Sequence, residues 1–426
     1  MLRPDRTTQP EIFRPCGIKI PQVGCEVFAN GMKCHILRTT DEPVCRVDWV
    51  FSAGTGDCEN PLVPVFTAYM LKEGCKNLSS ARIAEILDSK GATFAVRPFV
   101  THTVLTLLCL RKHAEELLPL VQQLVFAPTF PSDKLSLLVE REKYEFVLEQ
   151  KKVQNVASQL LREALYGKNH PYSLHKEQAY YKVSSSDLRK FHSKHYRSSN
   201  CSVVLSGNTD RELYLLTENF FGKAAWNYGG SIVKALWPSF LSSSNYKIKL
   251  QFDDSLQSGI AIGAPTSAMG EDGHYAVNTL ITALGGYFGS RLNKSVREEK
   301  GYTYGIGASV SSFADKSHFS VRTRTRCDVV NEVIDTVRHE ISNLAEHKMP
   351  PNELETVRNL IVSQINRTFE HPLYLADSFI SLLSKGTDFA YYSDFYDFLD
   401  IATPESLRSD AEKYLRQPLY EVVAGR

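Results

Sequence analysis

His192 and His195 stand three residues apart on a stretch that reads as helix, with His170 and His175 in a loop nearby. Two imidazoles on one helix face are half of a zinc site, which takes four nitrogen, thiolate or carboxylate ligands. No cysteine or carboxylate close by completes this set, and Phe191 and Tyr196 flank it, so the pair reads as buried core histidines. No HExxH occurs, and the nine cysteines are scattered without a CxxC pair. A nucleophile is equally hard to find: there is no GxSxG, and Cys75 and Cys109 form no recognisable dyad with a histidine. Gly285-Gly286-x-x-Gly289 lacks the Lys-Ser/Thr of a phosphate-binding loop and lies between helical segments, so it reads as a tight turn.

Composition narrows the classes further. The 426 residues carry 49 Lys+Arg against 48 Asp+Glu, a formal charge of +1, so no overall pull toward nucleic acid or anionic lipid is expected. The longest strongly apolar run, Val104 to Leu110, falls far short of the about 20 residues that span a bilayer. The opening MLRPDRTTQPEIFRPCG has no apolar stretch of the kind a secretory signal requires. An odd set of unpaired cysteines suits reduced thiols, and a cytoplasmic setting is expected.

The elements that could position a site come from an internal repeat. FPSDKL at 130–135 matches MPPNEL at 349–354, and VSSSDLRKFHSKH at 183–195 matches ATPESLRSDAEKY at 402–414, both at an offset of 219 residues. Ser184 and Thr403 sit where helix N-caps belong, with Pro404 in the first turn. Upstream, AEELLPLVQQLV and NEVIDTVRHEI share amphipathic helical spacing. Strand-like runs are GCEVFA, KCHILR, CRVDWVF, TFAVR and THTVLTLLCL in the first half, and YKIKLQF, SGIAIGA, YTYGIGASV, HFSVRT and LYEVVA in the second. The pattern predicts an α+β fold of two tandem homologous domains, each a largely antiparallel sheet with helices packed on one face, enclosing a cleft. The domains fall at 1–222 and 246–426, and 223–245, with Gly229-Gly230, Pro238 and three serines, reads as the linker.

Several of these segments together resemble the pitrilysin and insulinase peptidases, the inverted zincins: FSAGTGDCEN, MLKEG, GATFAVRPFVTHTV, VEREKYEFVLEQ, NHPYS and, most specifically, GGYFGSRLNKSVREEKGYTYG. The resemblance covers nearly the whole chain. In active relatives a His-x-x-Glu-His motif lies on the helix before the MLKEG-like segment, its two imidazoles ligating zinc and its Glu acting as general base. Here the same positions read Val65-Phe66-Thr67-Ala68-Tyr69. Val65 has no donor atom, Ala68 cannot take a proton, and the Tyr69 phenol is a poor zinc ligand. No metal ligand set and no cofactor are expected on this chain. The third-ligand position is expected at Glu149, with Glu142 two turns earlier on the same side.

The resemblance implies two further features. An Arg and a Tyr of the second domain fall on Arg297 and Tyr304, placed by a helix that Gly301 stops and by the strand that follows, with Tyr302 a rival for the phenol role. Such a pair could donate hydrogen bonds to a peptide carbonyl or to an oxyanion. An edge strand, Phe94, Ala95, Val96 and Arg97, is expected to bind extended peptide, although Ala95 replaces the usual Asn and Pro98 removes an N–H. The expected function is therefore the non-zinc subunit of a peptidase, lending Arg297 and Tyr304 to a homologous HxxEH-bearing partner that carries zinc and hydrolyses unstructured peptides. The alternative is a catalytically inactive homologue acting as an assembly or peptide-binding scaffold. No nucleic-acid or membrane partner is expected, and the isolated chain could form a homodimer.

Overall fold

A computed structural model describes residues 7, 20–173, 176–226, 246–252, 254–313 and 316–426. Of the linker placed at 223–245, residues 227–245 lie outside that set. Trp226, just before them, packs against Phe51 and Phe126 of the first half.

The first half forms β1 (Gly24–Val27), β2 (Lys33–Arg38), β3 (Val44–Phe51), α1 (Leu62–Met70), a small hairpin of β4 (Gly74–Cys75) and β5 (Leu78–Ser79), α2 (Ser80–Ser89), β6 (Thr93–Pro98) and β7 (Thr103–Leu110). It continues through α3 (Ala114–Phe126), α4 (Ser132–Glu149), α5 (Val153–Tyr166), α6 (Ser185–His195), β8 (Cys201–Gly207) and α7 (Arg211–Thr217). The second half runs β9 (Lys247–Gln251), β10 (Gln257–Thr266), α8 (His274–Gly285), β11 (Thr303–Ser312), β12 (Ser317–Arg326), α9 (Val330–Glu346), α10 (Pro351–Glu370), α11 (Pro372–Leu383), α12 (Ala390–Ile401), α13 (Pro404–Leu415) and β13 (Tyr420–Gly425).

The two sheets have the same topology. Their orders are β6-β7-β3-β8-β2-β1 and β11-β12-β10-β13-β9, so the first adds only β1 at its far edge. Within each, one pair is parallel, β2 with β8 and β9 with β13, and the rest are antiparallel. The repeat recognised in the sequence persists in the helices: α4, α5, α6 and β8 start at 132, 153, 185 and 201, and α10, α11, α13 and β13 at 351, 372, 404 and 420, each 219 residues on. The caps are formed as expected. Ser184 accepts from the Asp187 N–H and Thr403 from the Ser406 N–H, each satisfying a donor that the first helical turn leaves free.

Each half buries its own helices on one face of its sheet. In the first, Trp49, Phe51, Phe66, Leu105, Leu107 and Val203 meet α1, α3 and α6. In the second, Ile260, Ile262, Phe319 and Val321 meet α8, α9 and α10. The opposite faces are covered too, by an exchange between halves. Val153, Val156, Leu161 and Leu165 of α5 pack on Ala261, Val422 and Ala424 of the second sheet. Leu375, Phe379, Ile380 and Leu382 of α11 pack on Leu37, Val50, Val104 and Val204 of the first. Sheets covered on both sides carry strands that are apolar almost throughout, and seven of the eight residues of β3 are buried. Gly259 permits one of these approaches, because a Cβ there would lie 2.4 Å from the Val153 carbonyl oxygen.

Candidate functional site

The α1 helix carries the positions where the zinc motif would lie. Val65 and Tyr69, four residues apart and therefore on one face, are its partly exposed residues after Pro61, while Ala68 is fully buried at 0% exposure. Burial raises the Tyr69 phenol above its ordinary pKa, and the Glu142 carboxylate raises it further. Tyr180 behaves alike, pushed up to about 12 by burial and by the nearby Glu142 and Tyr69. The carboxylates facing Tyr69 are thus Glu142 and Glu145 of α4. Glu149 is not among them: it sits at the end of α4, where Lys152 and Asn155 donate to its two oxygens. The carboxylates acting on Tyr69 therefore lie one and two turns before Glu149 on α4.

These residues do not fit zinc. A valine and a methyl group supply no ligand or base, and a phenol held protonated by burial is not a substitute. Among the described residues, no group of three or more His, Cys, Asp or Glu is placed to hold a metal ion. The His192 and His195 pair is structural. His192 Nε2 donates to the Val125 carbonyl at 2.8 Å, and His195 stacks on Phe191 with centroids 4.3 Å apart. Burial lowers the pKa of each to about 4, so both are neutral imidazoles.

Arg297 lies in a π-helical turn, Asn293–Glu299, which Gly301 ends in the left-handed conformation at φ 63°. Its guanidinium lies 4.4 Å from the centroid of Phe288, a ring 67% exposed. Tyr304 follows on β11, inside the bulge between Thr303 and Ile306, and is 92% exposed. A bulge on an edge strand turns a side chain out of the ladder, which is what frees the phenol. Tyr302, the rival, is instead packed against the second-half core.

The β6 strand is a sheet edge, paired only with β7. Its side chains are largely committed elsewhere. Phe94 is 6% exposed and belongs to the first core, Val96 packs against that core, and Arg97 bonds Asp377 of α11 at 2.8 Å. Ala95 alone of the four neither joins a core nor carries a polar group. What this edge can offer a peptide is main chain, with Pro98 lacking its N–H.

Between the halves lies a cavity of about 500 Å³, which sequence reasoning foresaw only as a cleft. One wall is acidic, from Glu142, Glu145 and Glu149 on α4; the other holds Arg162 of α5 with His318 and Arg322 of β12. Phe146, Leu161, Tyr180 and Phe313 lie between them. The two arginines were missed because they are 160 positions apart and belong to no motif; only the packing of α5 on the second sheet joins them.

Residues 182–361 match a family model described as Peptidase M16 inactive domain. An uncharacterized zinc protease of Streptomyces coelicolor is 26% identical over 179 residues, covering 40% of this chain and 38% of that protein, so the chain spans less than half the length of that relative. The Non-peptidase homolog YmxG of Helicobacter pylori is 24% identical over 306 residues, 69% of this chain and 68% of that one. A solved structure of a peptidase M16 inactive domain from Pseudomonas fluorescens has the same fold, with a TM-score of 0.84 at 22% identity over 95% of this chain and 98% of that one. The chain is thus similar to M16 peptidases and their inactive homologues in its second half and shares their fold, and its α1 lacks the zinc motif. Among the described residues, no helix is long and apolar enough to cross a membrane.

Proposed function

We propose that this chain is a catalytically inactive M16 homologue that holds extended peptides without cutting them. The observation that carries this reading is α1, where a valine, a methyl group and a half-buried phenol stand in place of two zinc ligands and a base. The relative named a non-peptidase homologue and the inactive-domain match support it. The free β6 edge and the cleft cavity give a peptide two surfaces to occupy. The test is to titrate a fluorescently labelled, unstructured peptide with the purified chain in excess zinc. Saturable binding with the peptide left intact is expected, whereas cleavage that a chelator abolishes would overturn the reading.

A second reading rests on Tyr304. A phenol 92% exposed, on the strand that follows the turn bearing Arg297, could serve a neighbour, so the chain would lend this pair in trans to a homologous HxxEH subunit that carries the zinc, as a heterodimer. Mixing the two chains and substituting Arg297→Ala or Tyr304→Phe separates the readings. Loss of cleavage supports donation, and indifference to both changes leaves the scaffold reading alone. We place the chain in the cytoplasm, since the eight described cysteines are free thiols and five of them are buried. With its two faces mutually capped, the isolated chain is as well suited to a monomer as to the homodimer considered above.

A further inference from the structure

We propose that the cleft cavity binds a short peptide by its free ends, Arg162 and Arg322 taking the terminal carboxylate and Glu142 and Glu145 the ammonium. The inference rests on the peptide-holding reading and names the class of peptide held. Arg162 is the first observation. Its side chain lines the cavity, and its Nε is buried with no hydrogen-bond partner. A half-buried guanidinium whose Nε is shut off from solvent without a partner favours an anion that completes it. Nor does the protein bring that anion. After desolvation the strongest charge acting on Arg162 is a second cation, Arg322, and only then Glu163, whose Oε1 already accepts from Gln159.

Arg322 is the second observation. Its Nη2 donates only to the Ser309 hydroxyl, at 3.2 Å, and the two guanidiniums repel each other across the wall. His318 stands with them, bonded through Nδ1 to the Tyr166 hydroxyl at 2.7 Å. Burial and the two arginines hold its pKa near 4, so it is neutral and brings no third positive charge. Two adjacent arginines present planar donor forks that suit a carboxylate.

The opposite wall decides which anion. Glu142 is bonded to Arg141, and Glu149 to Lys152 and Asn155, while Glu145 lines the cavity without a hydrogen bond or ion pair among the described residues. Three carboxylates would repel a phosphate or a nucleotide and attract an ammonium. Phe146, Leu161 and Phe313 line the space between the charged walls. An anionic end, a cationic end and a mixed middle describe a zwitterionic peptide, and about 500 Å³ lies within the range of small-ligand pockets, roughly 300–1,000 Å³.

Isothermal titration of the full chain with tetra-alanine, its C-terminal amide and its N-acetyl form tests the proposal. Tetra-alanine should bind, the amide at least tenfold more weakly, and the acetylated form more weakly by a smaller factor. Arg162→Met and Arg322→Gln should each reduce tetra-alanine affinity tenfold or more, and Glu145→Gln should remove the preference over the acetylated form. Arg162→Met should leave the melting temperature unchanged or raise it, because it removes a buried, unsatisfied Nε–H donor; that readout excludes loss of binding through misfolding. Equal binding of acid and amide, binding of inorganic phosphate in preference to tetra-alanine, or full affinity in both arginine variants would each overturn it. If a long end-blocked peptide binds and tetra-alanine does not, this inference fails and the peptide-holding reading stands. If neither binds, both fail.

Discussion

Arg46 of β3 donates to Asp377 of α11 at 2.7 Å, joining the sheet of one half to a helix of the other. The same guanidinium forms a two-pronged bond to Asp48, at 2.7 and 2.9 Å, and Asp48 also accepts from Thr106. Arg97 adds a second donor to Asp377, so four charges on three elements close the junction. A buried cluster of this kind fixes register more than it adds stability.

Arg46→Met leaves Asp48, which is wholly buried, without its counter-charge. It should destabilise the chain by about 3–5 kcal/mol, and Arg46→Met with Asp48→Leu should recover most of that loss. Asp377→Asn should cost about 1 kcal/mol or less, since that carboxylate is 40% exposed and solvent screens it. Urea midpoints of the four proteins check the order.

Gly259→Ala puts a methyl group against the Val153 carbonyl and the Gln154 N–H, both main chain that cannot step aside. A loss of about 3 kcal/mol is expected, at the upper end for overpacking, with the second half's tryptic sites newly exposed. Unchanged stability would mean that α5 does not seat on β10 as described.

Acid should weaken the fold in a defined window. His192 has its pKa lowered to about 4 by burial, against about 6.5 in the unfolded chain. Between those values the unfolded state binds more protons, so stability is full above pH 6.5 and declines as the pH falls toward 4. The contribution is about 1–2 kcal/mol between pH 7 and pH 5, and His192→Gln should remove it. Denaturation curves at the two pH values provide the comparison.

The lost metal site can be rebuilt as a test of geometry. Purified wild-type protein should hold no stoichiometric zinc, and Val65→His, Ala68→Glu and Tyr69→His together should bind one ion, measured by elemental analysis after gel filtration. Adding Glu142→Gln should abolish binding and Glu149→Gln should not. The reverse pattern would restore Glu149 as the third-ligand position.

Much of this was legible in the chain. All ten strand-like runs formed strands, and the 219-residue offset held through α4, α6 and β8 because neither copy gained or lost a residue there. The absence of a zinc motif was readable because ligands have fixed types and spacing. The turn of α4 that faces Tyr69 was not, since Glu142, Glu145 and Glu149 differ only in helix phase, which tertiary packing selects. Hidden as well were the exchanged helices. Nothing local marks α5 or α11 as belonging to the opposite sheet, although the near-unbroken apolar strands Val44–Phe51 and Thr103–Leu110 do signal a sheet covered on both sides.

That exchange bears on how the molecule can be inherited and handled. Cut at its midpoint, either fragment would present a bare apolar sheet and an orphaned amphipathic helix, so neither should survive alone in a cell, while the pair supplied together should reassociate. A gene for half of this protein should therefore encode nothing stable, because each lobe's outer sheet face is closed by a helix of the other.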